Sequence, residues 1–264
     1  MTVPYLMEDR REAGRLVAKV DADAWVRSYL DPVLPGTSGA RVLDVGAGPG
    51  HIAQAVLRAR PAAEVVAFDG NPERLAAGRP DDTGLLRRSG DARMLPFDTG
   101  SFDVVYSRLM LQYVAERDTA VAEMARVTRP GGTVVLFDLD GQLVWHDPLG
   151  PKLRALLDPV TAALSAAGFD PHAGRRLYGL ARQAGLTDLD VRVDPYHLIA
   201  GKIDPVQRAQ WELKLDIARP LIARALGSPE AAEEAVAGFM AHLDSEETLT
   251  YSVAFTVTGR RART

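Results

Sequence analysis

Gly46-Ala47-Gly48-Pro49-Gly50 sets three glycines at alternate positions directly after the short apolar run Val42-Leu43-Asp44-Val45. Glycines there let backbone N–H groups and a helix N-terminus approach a bound molecule closely. Asp69 ends a second apolar run about 20 residues further on, where a carboxylate accepts both hydroxyls of a ribose. Asp91 ends a third run, in Gly90-Asp91-Ala92. The loop lacks the Lys-Ser/Thr pair of a P-loop. It also departs from Gly-x-Gly-x-x-Gly, because Gly50 comes two residues after Gly48 and position 51 is His, a spacing that counts against a dinucleotide enzyme.

The elements that position these residues follow from the hydrophobic pattern. Apolar runs at 42–45, 64–68, 85–88, 102–107 and 133–137 alternate with helical spacing at 51–59, 72–77 and 116–127. Such alternation means βαβ units and a doubly wound parallel sheet with both faces covered. Helical spacing over 8–30 precedes this region, and stretches at 151–167 and 173–184 follow it. Residues 189–193 form a sixth run; helices over 204–226 and 229–243 come next, the second with Pro229 in its first turn behind Ser228 as cap. Thr250–Thr258 is a late strand. The organisation expected is an N-terminal helical cap at 1–35, a core at 36–195 and 248–264, and a helical lid at 196–247.

At 264 residues the chain fits one main domain with an added lobe. It has no cysteine, which excludes a disulfide scaffold, a thiol nucleophile and any Cys-ligated metal; no metal is expected. Its 35 acidic and 31 basic residues give a net charge of −4, which offers no electrostatic reason for nucleic acid or an anionic membrane as partner. Acids at Glu8 and Asp9 stand where a signal peptide needs an apolar run, and no stretch approaches the ~20 apolar residues of a membrane span. A soluble, cytoplasmic protein is expected, as a monomer or a homodimer.

Residues 42–50, Asp69 and Gly90-Asp91-Ala92 together resemble class I S-adenosylmethionine-dependent methyltransferases. Leu95-Pro96-Phe97 with Ser101–Val105, and Glu123-x-x-Arg126-Val127-x-x-Pro130-Gly131-Gly132, add to the resemblance, which is strongest to the ubiquinone/menaquinone-type small-molecule enzymes. It runs over about 41–138. It implies a Rossmann-like, mostly parallel seven-stranded sheet whose antiparallel last strand inserts between the fifth and sixth, with helical N-terminal and lid segments. It implies S-adenosyl-L-methionine as cofactor and a small molecule as substrate. By position, Gly46 and Gly48 would cradle the methionine part, and Asp69, beside Gly70, would bind the ribose diol. Asp91 would meet the adenine amino group, with the Ala92 N–H on a ring nitrogen. Ser107 or Arg108 would face the methionine end, and Asp44 would brace the loop near the amino group. Tyr5 and Arg15 would belong to an N-terminal helix closing over the cofactor. The cofactor is a sulfonium cation, so nearby carboxylates suit it.

In-line methyl transfer needs the acceptor atom held about 3–3.5 Å from the methyl carbon, and a base only where that atom carries a proton. Candidate bases near the strand ends are Tyr113, Asp138, His146 and His197, with His146 and Tyr113 preferred. His146, beside Trp145 and Asp147, could be poised near neutral pH. Trp211, Pro220, Leu221, Ile222, Leu226, Phe239 and Met240 would line an apolar substrate pocket in the lid. The expected function is methyl transfer to a small, partly apolar metabolite at O, N or C; the alternative is a protein of this fold that holds the cofactor structurally, for cyclisation or binding. The Arg- and Ala-rich composition, typical of GC-rich bacterial genomes, associates the substrate with natural products.

Overall fold

The structure, a computed structural model, describes residues 20–36, 39–78, 84–141 and 143–263. Tyr5 and Arg15 lie outside the described residues, as does the first half of the helix expected over 8–30; its described part is α1 (Ala22–Tyr29), capped by the Asp21 carboxylate on the Ala24 N–H.

Strands β1 (Arg41–Val45), β2 (Glu64–Asp69), β3 (Leu86–Ser89), β4 (Phe102–Arg108) and β5 (Thr128–Asp140) pair in parallel in the order β3-β2-β1-β4-β5. Between them come α2 (His51–Ala59), α3 (Pro72–Ala76) and α4 (Arg117–Val127). The late strand β8 (Leu249–Arg261) runs antiparallel beside β5, and β7 (Leu186–Ala200) runs antiparallel beside β8. The last strand therefore lies between the fifth and sixth long strands. A two-residue strand β6 (His146–Asp147), absent from the sequence reading, pairs with the start of β8 just beyond the stretch that β5 occupies. β7 also extends the run read at 189–193 in both directions, so residues 196–200, assigned to the lid, are strand.

Alternation along the strands sorts their side chains into two cores. Val42, Val104, Tyr106 and Phe137 face α1 and α2. Leu43, Val45, Val105 and Leu136 face α4 and α6 (Ala173–Gln183). Buried on both faces, these strands read as nearly unbroken apolar runs.

A third core lies in a helical lobe. It joins α7 (Pro205–Leu226) and α8 (Pro229–Leu243), inserted between β7 and β8, to α5 (Pro151–Ala166). Helix α5, which the sequence reading groups with the sheet, thus packs in the lobe, because its apolar residues Leu153, Leu156 and Val160 meet those of α7 and α8. No helix among the described residues is long and apolar enough to cross a membrane.

Candidate functional site

The carboxyl ends of β1, β2 and β4 converge around the glycine loop. Gly46, Gly48 and Gly50 adopt φ of 83°, 57° and 87°, in the left-handed region that glycine enters without penalty. A Cβ on Gly46 would also collide with the Met110 side chain. The N–H groups of Gly46 and Ala47 donate to the Phe68 carbonyl at 2.7 and 3.0 Å, which ties the loop to the end of β2. Gly70, by contrast, has no positive φ and ordinary room for a Cβ.

Asp69 is the hinge of this arrangement. It is buried; its Oδ2 accepts the Gly48 N–H at 2.8 Å, and its Oδ1 accepts the Asn71 N–H at 2.9 Å and an Arg74 guanidinium at 3.2 Å. A carboxylate offers about four lone-pair positions, so one remains for a further donor. The next loop docks against it: the Gly90 N–H donates to the Asp69 carbonyl at 3.2 Å, and Gly90 has no Cβ because the Phe68 ring fills the space. That contact sets Asp91 and Ala92 beside the end of β2. Asp91 accepts the Arg93 backbone N–H and two guanidinium nitrogens of Arg93, which hold its carboxyl below the usual range.

Register explains the other wall. Asp44 of β1 pairs with Tyr106 of β4, and Tyr106 donates its hydroxyl to Asp44 Oδ2 at 2.8 Å. Burial pushes the Asp44 carboxyl up to about 7; the Tyr106 hydroxyl pulls it down, Asp69 pushes it further up and Arg108 opposes that. Arg108 stacks its guanidinium over Trp25 and Phe137, at 5.6 and 5.5 Å from the ring centroids. Its Nε is buried without a hydrogen-bond partner. Ser107 Oγ and both ring nitrogens of His51 are likewise buried and unpartnered. Burial, reinforced by Arg108, lowers His51 to about 4, so its ring is neutral at pH 7. Buried polar atoms are ordinarily hydrogen-bonded, and four unpaired ones around a single loop mark a place for a polar ligand. Their chemistry fits an amino-acid nucleoside: Arg108 for a carboxylate, Asp44 for an ammonium, Asp69 for a diol.

The sequence reading treated His51 only as a break in the glycine pattern, and it missed Trp25 and Phe137 as the platform under Arg108. The parity of strand residues 104, 106 and 108 was the available signal for Arg108's face.

The base candidates separate. Tyr113, in the 3₁₀ turn Leu111–Tyr113 after β4, stacks on Phe169 at 5.4 Å and borders the lobe cavity. His146 does not line that cavity. Its Nδ1 bonds Thr250 Oγ1 at 2.8 Å, its ring meets those of Phe239 and His242, and burial lowers it to about 4, not poised near neutrality. Asp138 is fully buried; its oxygens accept the N–H groups of Gln112 and Leu139, while burial raises it to about 7. His197 bonds Ser252 Oγ at 2.8 Å and stacks beside Trp211. Of the residues expected to line the pocket, Trp211, Leu221, Ile222 and Phe239 do so, whereas Pro220, Leu226 and Met240 do not. No group of three or more His, Cys, Asp or Glu among the described residues could hold a metal ion.

Parallel strands in this order, closed by an antiparallel strand and read at their carboxyl ends through a glycine loop, define the class I methyltransferase fold. Residues 43–136 match the family model described as a methyltransferase domain, in keeping with the resemblance read from the sequence. A demethylmenaquinone methyltransferase of Beutenbergia cavernae is 35% identical over 144 residues, 54% of this chain and 59% of its own. A ubiquinone/menaquinone biosynthesis C-methyltransferase of Burkholderia cenocepacia is 40% identical over 116 residues, 42% of this chain and 46% of its own. The chain spans about half the length of the curated relatives it matches. Among solved structures, a phosphoethanolamine N-methyltransferase 2 of Haemonchus contortus in complex with S-adenosyl-L-methionine superimposes with a TM-score of 0.58 at 20% identity, covering 90% of this chain and 52% of that one.

Proposed function

We propose that this chain transfers the methyl group of S-adenosyl-L-methionine to a small, partly apolar acceptor at O, N or C, a natural-product intermediate being the reading its composition supports. The observation that carries the proposal is the set of unpaired buried groups, Ser107, Arg108 and His51, gathered with Asp44 and Asp69 around one glycine loop. When bound, the cofactor supplies an electrophilic methyl on a sulfonium, which becomes a neutral thioether as the acceptor's lone pair takes the methyl.

Each residue then has a defined task. Gly46 and Gly48, which carry no side chain, let the methionine part lie close against the loop backbone, while Arg108 meets its carboxylate and Asp44 its ammonium. Asp69 accepts the ribose hydroxyls while retaining the Gly48 N–H, so ribose binding and loop shape are coupled. Asp91 accepts from the adenine amino group, sharing its oxygens with Arg93, and the Ala92 N–H reaches a ring nitrogen. Tyr113 stands where the acceptor enters and orients it by hydrogen bonding. An amine, or a phenol ionised near its own pKa, needs no base beyond this. His146 belongs to the packing of α8 on β8 rather than to proton transfer.

Calorimetric titration with S-adenosylhomocysteine tests the proposal. Binding is expected in the native protein, weakened roughly 10- to 100-fold in Asp69→Ala by loss of hydrogen bonds to a charged acceptor. Absence of binding, or an affinity indifferent to Asp69→Ala, overturns it.

A further inference from the structure

The lobe holds an open cavity between α5, α7 and α8 with about 80 Å³ of room for water-sized molecules. Packed protein interiors leave few voids larger than a water molecule, so a space of this size is a built feature. Its wall is almost wholly apolar, with Leu156, Val160, Leu215, Ile222 and Val236 among its residues. Two prolines shape it. Pro159 and Pro220 sit inside α5 and α7. Each removes one helical hydrogen bond directly before cavity-lining residues, Val160-Thr161 and Leu221-Ile222, and so disfavours two straight helices packing shut.

The polar members of the wall are few: Tyr113, Thr161 and Lys214, whose ammonium lies 4.6 Å from the Trp211 ring centroid. Two of the cavity's lining residues, Tyr113 and Leu143, come from the loops that follow the carboxyl ends of β4 and β5, and Ser107 and Arg108 end β4. Apolar sites with a handful of placed polar groups are the usual form of small-molecule pockets.

We infer that this cavity is the acceptor's recognition pocket, and that the acceptor is an amphiphile whose aliphatic body lodges among α5, α7 and α8 while its reacting end stays at Tyr113. The inference rests on the methyl-transfer reading for what happens at that reacting end, but not for binding in the cavity.

Titration of the full chain with 4-alkylphenols from ethyl to nonyl, followed through tryptophan emission with Trp211 in the wall as reporter, tests it. Affinity should rise roughly three- to fourfold per added methylene and level off once the cavity is filled. Thr161→Phe on α5 and Val236→Phe on α8 each narrow the space and should move the levelling to shorter chains. Circular dichroism in the far and near ultraviolet reports that the variants are folded, and S-adenosylhomocysteine is titrated separately into the same preparations. An affinity that does not change along the series, or a series that both folded variants leave unaltered, overturns the inference while the methyl-transfer reading stands. Chain-length dependence that shifts in the variants, in a protein that fails to bind S-adenosylhomocysteine, upholds the pocket and removes the methyl-transfer reading instead.

Discussion

Asp44 lies between an acid, Asp69, and a cation, Arg108, and burial holds its carboxyl near neutrality at about 7. In the ligand-free protein the proton stabilises the fold: a carboxyl raised above its unfolded value contributes stability fully present below about pH 4 and lost as pH rises through about 7. An ammonium placed beside it reverses the preference, because the ionised form then has a partner. S-adenosylhomocysteine affinity is therefore expected to fall as pH drops from 8 to 6, with proton release on binding, and to lose that slope in Asp44→Asn. Calorimetry in buffers of different ionisation enthalpy measures both. The glycine loop, Asp69 and Asp91 were legible in the sequence because their roles follow from position at strand ends. The burial of the His51 ring nitrogens and the aromatic seat of Arg108 were not; the seat depends on α1 packing on the sheet face that Tyr106 and Phe137 share, which no local spacing records.

Helix boundaries were among the more legible features. Asp204 accepts the N–H groups of Val206 and Gln207 at the start of α7, and Ser228 accepts that of Ala231 at the start of α8, each followed by proline in the first turn. These signals are local, so they survive in the sequence alone. Ser228→Ala should cost about 1 kcal/mol, read as a thermal midpoint lower by about 2–4 °C. What the sequence concealed was partnership. Nothing in the periodicity of α5 distinguishes packing on a sheet from packing on two later helices. The full extent of the outer strand β7 is similarly veiled: with Val191 and Val193 exposed and much of its length polar, it shows only 189–193 and lacks the unbroken apolar run that gave β1, β2 and β4 away.

Three apolar cores divide the molecule, two against the faces of the sheet and one within the lobe. The lobe's core is the smaller and borders an open cavity, so its helices should open by local fluctuation more readily than the strands between two filled cores. Hydrogen exchange is expected to show weaker protection in α5, α7 and α8 than in β1, β4 and β5, with the difference narrowing when a long 4-alkylphenol is added. Equal protection throughout would show that the molecule opens as one cooperative unit.

The lobe departs from and returns to the sheet at adjoining points. Ala200 at the end of β7 pairs with Leu249 at the start of β8, and the Gly201 N–H donates to the Thr248 carbonyl at 2.8 Å. Residues 202–247 thus hang from the tip of a hairpin whose two legs are already joined. A different helical pair could be grafted onto that tip as a cassette, giving the same nucleoside-binding base a new clientele without a single change in the parallel strands.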